Sequence, residues 1–206
     1  MATRNHKSIE QLGGTYSVTV TTMGWKHIFI KQKYLDCIIN SFRFHQDKKA
    51  VYTIGYCIMP SHLHWIIKLN DDYKNISIIL GAFKSFIAHE ILNLLKDEDN
   101  GKYPVLHPVF AKNPNLVIEK PSTLLVYFTK LALDNSDQDH RFWQRNSDIK
   151  LIETYPFLRQ KLKYIHQNPV RDKWNIVNNP SKYPYSSARY YEEGTDWHQL
   201  KIMNLF

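Results

Sequence analysis

Polar and apolar positions alternate from the first ordered stretch, and that pattern predicts most of the elements. After Gly13-Gly14, the segment Thr15 to Thr22 (TYSVTVTT) is β-branched and alternating, so it reads as a strand. From Lys33 to about Gln46, Leu35, Ile38, Ile39, Phe42 and Phe44 recur at helical spacing. Val51 to Met59 (VYTIGYCIM) predicts a second strand that Pro60 ends, and His62 to Leu69 (HLHWIIKL) its hairpin partner. A long helix follows over Ile76 to Leu95, with Ile79, Leu80, Phe83, Phe86, Ile87, Ile91 and Leu94 as its apolar stripe. Lys96 to Pro121 is irregular and carries four prolines. Ser122 to Leu133 predicts a short helix through Leu124, Phe128 and Leu131, and Asn135 to His140 a polar loop. Phe142 to Ile152 predicts a fourth strand with a turn near Asn146. Pro156 to Asn168 predicts a last helix, opened by a first-turn proline and stopped before Pro169.

This order, β-α-β-β-α-insert-β-α, predicts an α+β fold: an antiparallel β-sheet with helices packed mainly on one face. The expected organisation is a single domain over 1–206, with an insertion at 96–140 and an irregular C-terminal tail at 169–206. Such an architecture serves many functions, so activity has to be argued from side chains.

Composition narrows the classes. A chain of 206 residues with 43% hydrophobic residues can bury a real core. The net charge of +8 points to a polyanionic partner, because Lys and Arg that neutralise phosphates release counterions. Charge alone leaves nucleic acid no better than one option among several. Two cysteines, Cys37 and Cys57, make neither a disulfide framework nor a CxxC metal site. Met1 to Glu10 is polar, and no apolar run reads as long enough to span a bilayer, so the expectation is a cytoplasmic protein without a membrane partner.

Two groups of residues carry candidate chemistry. His62 and His64, two apart on a strand, project to one face and could converge on one ion, while Leu63, Trp65 and Ile67 face the other way. In a chain with ten histidines, an isolated His-x-His also arises by chance. Tyr164 and Asn168, four apart on the last helix, share one face, with Leu158, Leu162 and Ile165 on the opposing one. Tyrosine is a poor nucleophile at neutral pH unless a metal or basic surroundings favour its ionised form. Taken singly, each group reads more readily as an ordinary structural feature.

Several blocks together carry a resemblance. Gly55 to Ile67 (GYCIMPSHLHWII) resembles the MPNHVH strand of the HUH single-tyrosine transposases. Tyr164 to Val170 (YIHQNPV) and Tyr183 to Ala188 (YPYSSA) are similar to blocks of their REP-associated branch, as are Phe83 to Phe86 (FKSF) and Phe142 to Arg145 (FWQR). The blocks stand in the family's order across most of the chain. The resemblance implies a ferredoxin-like, palm-type fold, with His62 and His64 as metal ligands, Asn168 completing the metal site and Tyr164 as the nucleophile. It implies metal-assisted cleavage and rejoining of single-stranded or hairpin DNA through a 5′-phosphotyrosine, with Mg²⁺ or Mn²⁺; ligand softness alone would favour zinc for two imidazoles. A homodimer is compatible with the family.

The sequence departs from the family at Ser61, where Asn is frequent; it is expected to face away from the histidines. It departs again at Asp172-Lys173-Trp174, in place of a small Ala-Gly-Leu stretch, with consequences for packing or DNA contact. Arg141, Arg145, Lys161, Lys163, Arg171 and Lys173 flank the proposed site and are the expected DNA contacts. His166, two residues past Tyr164, points elsewhere on the helix. Two other readings share these residues: a domesticated nucleic-acid-binding protein without cleavage activity, and a replication initiator or relaxase with the same metal chemistry.

Overall fold

The computed structural model describes residues 11–73, 75–101, 105–133 and 141–205. Strands β1 (Thr15–Thr21), β2 (Val51–Met59), β3 (His62–Leu69) and β4 (Asp148–Leu151) form one antiparallel sheet in the order β2-β3-β1-β4. Helix α1 (Gln32–Asp47) connects β1 to β2, and α2 (Ile76–Asp99) begins the passage from β3 to β4. This is the split β-α-β arrangement in which the two long crossovers leave β1 and β3 side by side at the centre.

Strand alternation sorts the side chains. Tyr16, Val18 and Val20 of β1 lie opposite Ile67, Trp65 and Leu63 of β3, and all six are buried. Helices α1 and α2 cover this face: the rings of Phe42 and Phe83 stand 4.5 and 5.2 Å from Trp65, and stack on each other at 5.5 Å. Phe44 and Phe86, expected on the apolar stripes, project into solvent instead. Helix α2 also runs one turn further than its apolar period suggests, to Asp99. Its last turn carries the buried Glu98, which accepts a hydrogen bond from Tyr34 at 2.6 Å and pairs with Lys31. That partner lies more than sixty residues away and leaves no local signal. By length and composition α2 would suffice to cross a bilayer, contrary to the sequence expectation, but Ile79, Leu80, Phe83, Ile87, Ile91 and Leu95 are buried inside the fold. It is a core helix.

Helix α3 (Pro121–Leu133) buries Leu124 and Phe128 and packs on α2, while the side chain of Leu131 and the loop at 135–140 lie outside the described residues. The fourth strand is shorter than expected: only Asp148–Leu151 is paired along β1. Trp143 forms a single bridge to Thr22 and sends its indole N–H to the Lys84 carbonyl at 2.8 Å, so an aromatic cluster with Phe29 and Phe142 holds this stretch rather than a ladder.

Helix α4 (Tyr155–Gln167) opens on Thr154, whose hydroxyl accepts from the Phe157 N–H, and it lies across the other face of the sheet. The chain after it covers the outer edge of β2. Ile58 N–H donates to the Tyr185 carbonyl, Ser187 N–H to that of Tyr56 and Met203 N–H to that of Thr53. An edge strand that would otherwise present unpaired backbone groups is thereby closed. Helix α5 (Ala188–Glu193) lies within this segment, between Ser187 and Met203.

Candidate active site

The register of β3 between β1 and β2 puts His62 opposite Thr21 and Met59, and His64 opposite Thr19 and Cys57, on the face that bears α4. Gly55, on the same face of β2, lets the helix come close. A β-carbon there would lie 2.5 Å from Leu162 Cδ2 and 3.3 Å from the Ser187 hydroxyl. Leu158, Leu162 and Ile165 are buried against the sheet, which leaves Tyr164 at the edge of the contact. The His62 and His64 rings stand 4.9 Å apart, and His64 meets the Tyr164 ring edge-on at 5.6 Å. Tyr164 and the histidines thus meet within one chain. Tyr164 is 45% exposed, whereas His62, His64 and Asn168 are buried.

Hydrogen bonds fix the two imidazoles. His64 Nδ1 is 2.9 Å from the Thr19 hydroxyl, and His62 Nδ1 is 3.2 Å from that of Ser61. Ser61 therefore turns back to the site rather than away from it, because it occupies the tight turn before the strand and not a strand position of its own. With each Nδ1 engaged, the free lone pair falls to Nε2 when Nδ1 carries the proton. Among protein atoms, His64 Nε2 and the Asn168 side-chain nitrogen are buried without a hydrogen-bond partner. Each unsatisfied group costs about 1–3 kcal/mol, which a bound partner would offset. A half-turn of the Asn168 amide would present its carbonyl oxygen instead.

Burial is the main reason both histidines resist protonation. His64 is lowered to about 4 by desolvation, with further contributions from Lys161 and Arg171. His62 is held well below the ordinary imidazole range by desolvation, then by His64, Lys173 and His27. Both are neutral at pH 7, the form a metal requires. Among the described residues no cluster of three or more His, Cys, Asp or Glu could hold a metal. An ion here would rest on His62, His64 and the Asn168 amide, leaving positions for phosphate oxygen or water. These donors fit an ion with an open coordination sphere.

The expected basic residues divide into two groups. Lys161 and Arg171 act on His64, and Lys173 acts on His62. The Arg171 guanidinium lies 4.4 Å over the Tyr164 ring. Arg141, Arg145 and Lys163 make no such contact with the four central side chains. Arg141 and Arg145 follow α3, where Gln144 N–H reaches the Thr21 carbonyl, and Arg145 and Lys163 are exposed. His166 points away from the site, as expected, and its Nε2 is 2.8 Å from the Ser187 hydroxyl, which links YIHQNPV to YPYSSA. Sequence reasoning missed Thr19, the partner of His64, although strand alternation carries it to the correct face once the register is known. It also missed Trp25, His27 and Trp174, which the fold gathers around His62 from two loops.

No family model and no curated protein matches this sequence. Among solved structures, a REP-associated tyrosine transposase bound to a REP hairpin superposes with a TM-score of 0.57 at 15% identity, over 100% of this chain and 94% of that one. The two share a fold. That structure represents the family which the ordered sequence blocks resemble, and the agreement at this identity concerns architecture. A candidate transposase from Deinococcus radiodurans R1 aligns at a TM-score of 0.42 and 10% identity, over 81% of this chain and 97% of that one, and no argument rests on it.

Proposed function

We propose that the chain is a metal-assisted DNA strand transferase of the HUH single-tyrosine type. The observation that carries this reading is the meeting of Tyr164, exposed, with the buried pair His62 and His64, of which His64 has an unpartnered Nε2. The Tyr164 oxygen attacks a phosphodiester of single-stranded DNA; the bond from phosphorus to the 3′-oxygen breaks, and that oxygen leaves as a 3′-hydroxyl. The product is a 5′-phosphotyrosine, and attack by a 3′-hydroxyl on it restores the tyrosine and joins the strands. His62, His64 and Asn168 would hold Mg²⁺ or Mn²⁺, and the chemistry such an ion supplies when bound is Lewis-acid polarisation of the scissile phosphate. Thr19 and Ser61 keep the two rings in place. Arg171, against the Tyr164 ring, sets a positive charge where the phosphate approaches, with Lys161 and Lys173 beside it. A hairpin is the preferred form of substrate, in keeping with the hairpin held by the structural neighbour.

The test is covalent capture. The native chain and Tyr164→Phe are incubated with single-stranded hairpin oligonucleotides, with and without Mn²⁺, and separated under denaturing conditions. An adduct is expected from the native chain with Mn²⁺ only. Adduct formation by Tyr164→Phe would remove Tyr164 from the mechanism, and no adduct from the native chain on any hairpin would leave a binding protein.

A further inference from the structure

The Asp172-Lys173-Trp174 departure and the insertion acquire a role around one exposed ring. Trp25 ends a short 3-10 turn, Met23–Trp25, with φ of 56° directly after Gly24 at 63°. A bulky residue in the left-handed region is an outlier that costs on the order of 1–3 kcal/mol. Core burial does not repay it, because the indole is 51% exposed. What the conformation achieves is position: the indole meets the His62 ring edge-on at 5.6 Å.

The surroundings hold it there. The Lys173 ammonium lies 5.4 Å from the Trp25 ring and 5.3 Å from that of Trp174, which itself packs on His62 and His27. The insertion braces both loops. Asn113 donates to the Trp174 carbonyl at 2.7 Å, Val117 N–H donates to His27 Nδ1 at 3.0 Å, and Glu119 pairs with Lys26 at 2.6 Å. Gly24 is packed against the Tyr127 hydroxyl, with no room for a side chain. Beside the indole, a recess of about 180 Å³ opens between Trp25, His27, Val117 and Glu119.

We propose that Trp25 is a stacking platform for an unpaired nucleobase next to the phosphate held at His62 and His64, a proposal that rests on the single-stranded DNA reading above. The ring offers a rigid aromatic surface half open to solvent, and stacking on such a surface is sequence-tolerant because every base has a π-face. Lys173 supplies the charge for the adjoining phosphate, while Lys26 is neutralised by Glu119. The part of the insertion from Asn113 to Tyr127 thereby becomes the buttress of a base-binding subsite.

The experiment pairs a side-chain change with removal of the bases. In a Tyr164→Phe background, which cannot cleave, binding of a thymidine dodecamer and of a base-free deoxyribose-phosphate dodecamer is followed by fluorescence anisotropy. Trp25→Ala is expected to weaken the thymidine strand roughly tenfold and leave the base-free strand unchanged, with Trp25→Phe retaining most of the affinity. Trp25→Gly, which relieves the left-handed strain, guards against misfolding and is expected to behave like Trp25→Ala. Equal weakening on both strands, or none on either, overturns the platform. An adduct from the native chain without this coupling removes the platform alone. Coupling without any adduct removes strand transfer alone, and a parent that binds neither strand removes both.

Discussion

At the residue scale the site is a pair of imidazoles kept neutral by burial. The lone-pair form is the one that would hold a metal, and lowering the pKa of His64 to about 4 extends that form well below the usual histidine range. The sign follows from which state binds protons. Between the ordinary value of 6.5 and about 4, the unfolded chain protonates these residues and the folded chain does not. His166, also lowered to about 4 by burial, acts the same way. Stability is therefore full above pH 6.5, falls as pH drops through this window and levels off below it. Mn²⁺ affinity measured by calorimetry is expected to hold nearly constant from pH 8 down to about 5. Midpoints of urea unfolding without metal should hold steady above pH 6.5 and fall from there down to about 4. A Mn²⁺ affinity that collapsed between pH 7 and 6 would mean exposed, ordinary histidines.

At the element scale, the decisive contact is α4 against β2 and β3. Gly55 sets its closeness, since a β-carbon would strike Leu162 and crowd Ser187. Gly55→Val is expected to cost roughly 1–3 kcal/mol by overpacking. It should also push Tyr164 away from His64, so adduct yield should drop further than the loss of folded protein explains. Thermal melting read beside the adduct assay separates the two effects, and equal losses would show that the spacing of α4 is irrelevant to the chemistry. Ser187 reinforces the same contact: its hydroxyl accepts the Tyr56 N–H at 2.9 Å and meets His166. The tail is thus fastened to the helix that carries Tyr164.

At the scale of the whole molecule, the positive charge is unevenly useful. Lys161, Arg171 and Lys173 gather at the histidines, whereas Arg141, Arg145 and Lys163 do not touch that group. Affinity for single-stranded DNA should fall with salt, and the log–log slope should flatten by about 0.7 for each phosphate contact removed. Alanine at each of the first three positions is expected to flatten it by about that amount. Alanine at Arg141, Arg145 or Lys163 should leave it nearly unchanged; an equal effect at all six would indicate a diffuse basic surface rather than a groove.

The sequence by itself determined the elements and the shared faces. Period-two alternation placed His62 and His64 together, and helical spacing placed Tyr164 above Asn168, because both are local consequences of backbone geometry. Strands β2 and β3 were legible to the residue, being bounded by Pro60 and Ser61. What only the tertiary structure decided lies where partners are distant in sequence. The pairing of Thr19 with His64 needs the strand register, and the last turn of α2 needs Lys31 and Tyr34. The short β4 needs the aromatic cluster that captures Trp143, and the ring of Trp25 at His62 needs two loops and the insertion to meet. Local pattern carries the energy of helix and strand, but no local pattern encodes which two surfaces will be brought into contact. The convergence of His62, His64 and Tyr164 on one side of the sheet is a property of that contact.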